Sequence, residues 1–181
     1  AETERVIDIL ARVGDIPRIK IERYGEIFNR AGQNFRLQKQ APALILAKKH
    51  GKKVLPAPEG YGFEQGSGFY FSHMLNCLYD CRYCFLQGMY RSAHYILFTN
   101  YEDFMHDILG QLAQAAGNVF YSGYDCDSLA MEPVSGFCNS FIPFFANRPE
   151  MTLEIRTKST QVRKLLEFDP LPNCVVAMSF T

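Results

Sequence analysis

Cys77-Leu78-Tyr79-Asp80-Cys81-Arg82-Tyr83-Cys84 places half of the six cysteines of this 181-residue chain on one short loop. The spacing reads CxxxCxxC. A loop with these gaps can wrap three thiolates around one iron–sulfur cube, for which thiolates are the usual ligands. A four-iron cube takes four ligands, and no fourth cysteine lies close in sequence; the nearest, Cys126, is far downstream. One iron is then left for a non-protein ligand, as a catalytic metal site keeps an open position. Three other readings stand beside this one. Structural zinc also uses clustered cysteines, and His73, at an i, i+4 offset from Cys77, could complete a four-ligand set. Three ordinary buried thiols would give the same letters. An electron carrier would want a fourth thiolate.

Outward from the loop, the bulk composition sets bounds. The length suits one domain with a real core. Hydrophobic residues make up 48% of the chain and charged residues 21%, an ordinary globular balance. With 19 basic and 19 acidic side chains, net charge gives no sign of a polyanion partner. Lys48, Lys49, His50, Lys52 and Lys53 form a local basic run, read as a solvated helix end. Charges at Glu2, Glu4, Arg5 and Asp8 exclude a signal or a membrane span at the start, and no apolar run approaches the roughly 18 to 20 residues a span needs. Free thiols and an oxygen-sensitive cluster both suit a reducing cytoplasm.

Local patterns divide the chain into residues 1–62, a helical or mixed N-terminal extension, and 63–181, a catalytic core. Val6 to Val13 reads as an amphipathic helix closed by Gly14, and Ala43 to His50 as a second, with Pro42 near its first turn and Gly51 at its end. The breakers from Pro56 to Gly62 mark the border. In the core, strands are expected at Phe69–Ser72, Val119–Tyr121, Thr152–Arg156 and Cys174–Phe180, with Tyr95–Thr99 a strand or an extended arm. Helices are expected at Tyr101–Ala116, Ser135–Ala146 (interrupted by Pro143) and Gln161–Phe168. Strand–helix repeats imply an α/β fold with a parallel sheet, and in parallel barrels the chemistry sits at strand C-terminal ends, where the cysteine loop falls. About four core strands make a partial barrel. The last, ending at Thr181, would expose an apolar edge, so the barrel is expected to be cut short at its C-terminus.

The motif runs on into Phe85-Leu86-Gln87. Downstream follow Tyr124-Asp125-Cys126-Asp127-Ser128, then Glu154-Ile155-Arg156-Thr157-Lys158-Ser159, then Met178-Ser179-Phe180. From roughly Lys53 to the end, these islands in this order resemble the spore photoproduct lyase family of radical S-adenosylmethionine (radical SAM) enzymes. The resemblance implies a radical-SAM-type (β/α) barrel, a 4Fe-4S cluster and S-adenosylmethionine as cofactors, DNA as partner and an external flavodoxin- or ferredoxin-like electron donor. It implies a lyase: reductive cleavage of the cofactor yields a 5′-deoxyadenosyl radical, which takes a hydrogen atom from a thymine photolesion and starts its repair. Cys77, Cys81 and Cys84 match the cluster ligands. Cys126 matches the hydrogen donor, and Tyr83 a tyrosine of the hydrogen-return relay. Ser128, Lys158 and Ser179 match polar positions that contact the cofactor, and Gly123 the turn that receives its amino group. Phe85 departs from the family, standing where a second relay tyrosine is expected.

Overall fold

A computed structural model describes residues 3–61, 68–79, 81–112 and 118–180. Its helices are α1 (Glu4–Val13), α2 (Phe35–Gln40), α3 (Leu86–Met89), α4 (Tyr101–Leu112), α5 (Glu132–Ser135) and α6 (Phe137–Ala146), with 3₁₀ turns at Tyr24–Glu26 and Thr160–Glu167. The strands are β1 (Leu44–Ala47), β2 (Val54–Pro56), β3 (Gly68–Phe71), β4 (Met74–Leu75), β5 (Tyr95–Phe98), β6 (Asn118–Tyr121), β7 (Met151–Thr157) and β8 (Cys174–Met178).

Two sheets organise these strands. The larger has the order β2-β3-β6-β7-β8, with β3, β6, β7 and β8 all parallel and β2 antiparallel on the β3 edge. The smaller has the order β1-β5-β4. The expected mostly parallel α/β architecture is therefore present. The parallel strands of the larger sheet bring four C-terminal ends to one side; the segments after β6, β7 and β8 carry Gly123, Cys126, Ser128, Lys158 and Ser179, and the cysteine turn follows β4.

The aromatic residues are mostly core. Phe71, Phe120, Leu153 and Ile155 project from one face of the larger sheet and are fully buried. They meet Phe104 of α4 and Phe137, Phe141 and Phe145 of α6, with ring centroids at 5.1 Å for Phe71–Phe141 and 5.9 Å for Phe120–Phe145. Burial of each such side chain stabilises the fold by roughly 1.5–3 kcal/mol. The N-terminal residues share this core: Ile9, Phe28, Ile45 and Val54 are buried in it, and the border at 56–62 runs between two paired strands, β2 and β3.

Several elements differ from the sequence expectation. Ala43–His50 is not a helix; its centre is β1, paired parallel to β5 from Leu44↔Tyr95 to Ala47↔Phe98. A short apolar run bounded by breakers fits a buried strand as well as a helix, and partner strand β5 decides between them. The cysteine loop does not leave β3 directly, because β4 intervenes and pairs antiparallel with β5. The helix expected over Ser135–Ala146 is broken at Gly136, which adopts φ +60°. A side chain there would be strained, and Arg12 Nη1 lies 2.8 Å from where its Cβ would stand. Gln161–Phe168 winds as the tighter 3₁₀ form, Thr160–Glu167. The end of the expected Tyr101–Ala116 helix lies outside the described residues beyond Leu112.

His73 is fully buried, and among the described residues neither ring nitrogen has a partner. Its ring lies 4.5 Å from Phe137 and 6.1 Å from Tyr101, centroid to centroid. Burial lowers its pKa from 6.5 to about 3. The unfolded chain therefore takes up a proton that the fold refuses. Stability contributed by neutral His73 is complete above pH ~6.5 and falls as the pH drops toward 3, by up to about 1.4 kcal/mol per pH unit. Denaturant unfolding as a function of pH should show this slope in the parent and lose it in His73→Phe; parallel curves for the two proteins would contradict it.

Candidate functional site

The β7 end is the anchor of the site. Asp127, on the loop after β6, accepts from Thr157 Oγ1 and from the Lys158 backbone N–H, each at 2.7 Å, and from the Leu129 N–H at 3.0 Å. This buried carboxylate fixes where β7 stops and aims Lys158. From there the Lys158 ammonium donates to Cys81 Sγ at 3.1 Å and to the Tyr83 hydroxyl at 2.5 Å. It also stands over the Tyr83 ring, 5.1 Å from the centroid. The hydrogen bonds to Tyr83 and then Cys81 hold its pKa above the ordinary lysine range. One cation thus joins the strand end to the cysteine loop.

All six cysteines are free thiols. Cys77, Cys81 and Cys84 are half-buried on one turn, closed by the Cys84 N–H bonding to the Cys81 carbonyl at 3.0 Å. Burial raises the pKa of Cys77, and the backbone N–H groups of Tyr79 and Asp127 oppose that rise by pointing at its sulfur. Three thiols on one turn are the donor set that an iron–sulfur cluster takes, and the residues fit in kind and in chain position. Their sulfurs do not converge: among the described residues no group of three metal-ligating side chains is gathered. Cys81 Sγ accepts from Lys158. His73, the alternative zinc ligand, is enclosed by core rings.

Cys126 lies on the same loop as Asp127, buried, with its Sγ 3.9 Å from the Ser122 carbonyl. Burial pushes its pKa well above the ordinary thiol value, and the neighbouring Cys77, Asp125 and Asp127 add to the rise. The group is therefore held as S–H. The Ser128 hydroxyl is engaged internally, 2.8 Å from Ser122 Oγ and accepting from the Arg156 N–H at 3.2 Å. The Ser179 N–H bonds to the Thr157 carbonyl at 2.9 Å, which places Ser179 next to Lys158 across the β7–β8 pair. Gly123 is a close-approach glycine: an added Cβ would stand 2.8 Å from Ser128 Oγ and 2.9 Å from the Arg156 carbonyl.

Sequence reasoning passed over a second group on the same side. Alternation along β7 puts Glu154 and Arg156 on the face opposite the phenylalanine core, in register with Tyr121 of β6 and, through it, Tyr70 of β3. Arg156 Nε donates to Glu154 Oε1 at 2.8 Å, and its guanidinium lies 5.1 Å from the Tyr61 ring centroid. Tyr61 meets Tyr121 at 5.0 Å and Tyr124 at 5.3 Å, and Tyr124 stacks on Tyr70 at 4.2 Å. Exposed Phe85 stands 5.6 Å from Tyr124. The period-two placement of Glu154, Arg156 and Lys158 was the available signal. A polar cavity of about 510 Å³ opens elsewhere, between α1 and the starts of α4 and α6, and takes in none of these residues.

The sequence matches no protein-family model and no curated protein. Solved structures do match. A double mutant of spore photoproduct lyase with bound AdoMet and dinucleoside spore photoproduct superposes with a TM-score of 0.66 at 15% identity. Spore photoproduct lyase complexed with dinucleoside spore photoproduct gives 0.64 at 15%, and a tyrosine-to-phenylalanine mutant of that enzyme 0.63 at 17%. Each match covers 76% of this chain and 39% of the other. The resemblance read from the cysteine and lysine motifs therefore holds at the level of fold, over about two fifths of the length of those structures. Among the described residues, no helix is long and apolar enough to cross a membrane.

Two measurements check this geometry. Gly123→Ala has to displace a backbone carbonyl, and equilibrium unfolding should show a loss of about 1–3 kcal/mol; an unchanged midpoint would mean the approach is not tight. Brief alkylation of the native chain at pH 8, read by mass spectrometry, should label the half-exposed loop thiols and spare Cys126, whose thiolate is disfavoured and covered. Labelling of Cys126 at the rate of Cys81 would contradict its burial as S–H.

Proposed function

We propose that this chain carries the cofactor-binding half of a radical SAM lyase that repairs a thymine photolesion in DNA. The observation that supports it most is the Lys158 bridge: a cation at the end of a parallel strand, already in contact with the central cysteine and with Tyr83 of the CxxxCxxC turn. The similarity of fold to spore photoproduct lyase structures supports the same reading. Cys77, Cys81 and Cys84 are the residues that would hold a 4Fe-4S cluster. Such a cluster, if bound there, would supply the electron for reductive cleavage of S-adenosylmethionine.

The chain's own residues then have separate tasks. Lys158, a point charge, would pair with the carboxylate of the cofactor's methionine part in place of Cys81. Gly123 lets the backbone approach the cofactor closely, and Ser128 and Ser179 border that position. Asp127 keeps Lys158 aimed. Cys126, kept as S–H by burial, gives its hydrogen atom to a carbon radical of the opened lesion, the S–H bond breaking as the C–H bond forms. The Tyr83 phenol is the next donor in line. An external flavodoxin- or ferredoxin-like protein supplies electrons, and the reducing cytoplasm is the compartment that suits these thiols. Phe85, without a phenol, favours a second reading in which the same machinery acts on RNA, a peptide or a small molecule.

The test is anaerobic reconstitution with iron and sulfide, followed by measurement of 5′-deoxyadenosine with and without irradiated DNA. Release of 5′-deoxyadenosine together with loss of the lesion is expected. Cofactor cleavage without lesion loss would move the chain to the second reading; one equivalent of zinc with no iron uptake would remove both. Cys126→Ala should keep cofactor cleavage within about twofold and cut clean repair at least tenfold, with adducts in its place. Lys158→Met should weaken S-adenosylmethionine binding by roughly tenfold to a hundredfold, the worth of one charge-assisted hydrogen bond.

A further inference from the structure

Arg156 is held as a fork and left half-used. Its Nε is committed to Glu154 Oε1, and Glu154 is fully buried, so the guanidinium plane is fixed from below. Tyr61 stacks against the cation at 5.1 Å and fixes it from the side. The Arg156 side chain nonetheless keeps 36% of its surface open, and among the described residues its two Nη groups hold no hydrogen bond. Glu154 Oε2 is likewise buried without a partner. A guanidinium oriented by a buried carboxylate, with its outer edge open, presents parallel N–H donors that match an oxyanion bidentately. Beside it runs a ladder of rings, Tyr61, Tyr124 and Phe85, ending in a phenylalanine that is 58% exposed. Exposed aromatic faces beside cations suit a nucleic acid strand, whose bases stack while its phosphates pair. Lys158 lies just past the end of β7, two residues on from Arg156 and about 7 Å away along an extended chain, so the arginine lies beside it.

We infer that Arg156 grips a phosphodiester of the substrate strand and that Phe85, at the end of the tyrosine ladder, stacks on a base next to it. This rests on the proposal that the substrate is a nucleic acid. Arg156 is then a positioning residue, setting which nucleotide reaches the cofactor. Glu154 is its support: without the carboxylate the fork would turn freely. The carboxylate of S-adenosylmethionine is the other oxyanion that could meet these donors, and the experiment separates the two.

Arg156→Gln alone would strand the buried Glu154 charge and could unfold the chain. The informative variants are the pair Glu154→Gln with Arg156→Gln, which removes both charges together, and Arg156→Lys, which keeps the charge and loses the fork. Binding of a fluorescein-labelled single-stranded oligonucleotide is read by anisotropy across ionic strength, and S-adenosylmethionine binding by equilibrium dialysis, with thermal melts confirming the fold. For single strands, log K falls with log salt at about 0.7 per neutralised phosphate. The double variant should lose about 0.7 from the slope, and its affinity should fall by a similar factor for oligonucleotides of different sequence. Arg156→Lys should keep the slope and bind more weakly than the parent, and cofactor binding should stay within twofold in both. A parental slope in the double variant would overturn the inference while leaving the proposed substrate intact. Lost cofactor binding with an unchanged slope would assign Arg156 to the cofactor instead. No salt-dependent binding by the parent would overturn the inference and the nucleic acid substrate together.

Discussion

A single carboxylate ties the site together. Asp127 accepts two hydrogen bonds at 2.7 Å from the end of β7, one from a side chain and one from the backbone of Lys158 itself. Hydrogen bonds to a charged group are worth about 1.5–3 kcal/mol each, so the loop after β6 and the end of β7 move as one piece. The candidate residues cluster around that join. Cys126 is the next residue back on the same loop, Ser128 the next forward, and Lys158 reaches from the join to the cysteine turn. The Asp127 N–H also points at the Cys77 sulfur, so the carboxylate's own backbone touches the turn from the other end.

The parallel sheet explains why these groups meet. In a parallel array every strand delivers its following loop to the same side, whatever the sequence distance between strands. Cys81 and Lys158 are 77 residues apart and Ser128 and Arg156 are 28 apart, yet both pairs are in hydrogen-bond contact. Phenylalanines from one face of the sheet and from α4 and α6 make the frame rigid. The opposite face carries tyrosines, Glu154 and Arg156. One sheet therefore carries an apolar face that is buried against helices and an opposite face that is polar and aromatic.

Much of this was legible in the chain. Strong alternation and apolar runs marked β3, β6, β7 and β8, and their order with intervening helices implied the parallel sheet. The cysteine spacing located the turn, and Lys158 was marked by the Arg156-Thr157-Lys158-Ser159 motif that carries the family resemblance. Other features depended on tertiary context that one sequence does not display. The Ala43–His50 segment has the composition of a helix and becomes β1 because β5 is there to pair with it. The break falls at Gly136, whose positive φ and whose closeness to Arg12 appear only in the folded chain. The Lys158 contacts with Cys81 and Tyr83, the Asp127 clamp and the Glu154–Arg156–Tyr61 stack all join residues far apart in sequence. The three sulfurs, legible as a set, are not gathered in space among the described residues, and Cys81 is hydrogen-bonded to Lys158 instead.

The central claim is that these three thiols anchor an iron–sulfur centre with one iron left for the cofactor. Mössbauer and electron paramagnetic resonance spectroscopy of anaerobically reconstituted protein, before and after addition of S-adenosylmethionine, test it most directly. The account predicts a four-iron centre in which one iron is distinct and changes its signal when the cofactor is added. A centre with four equivalent thiolate-bound irons that ignores the cofactor, or a protein that takes up no iron, would contradict it.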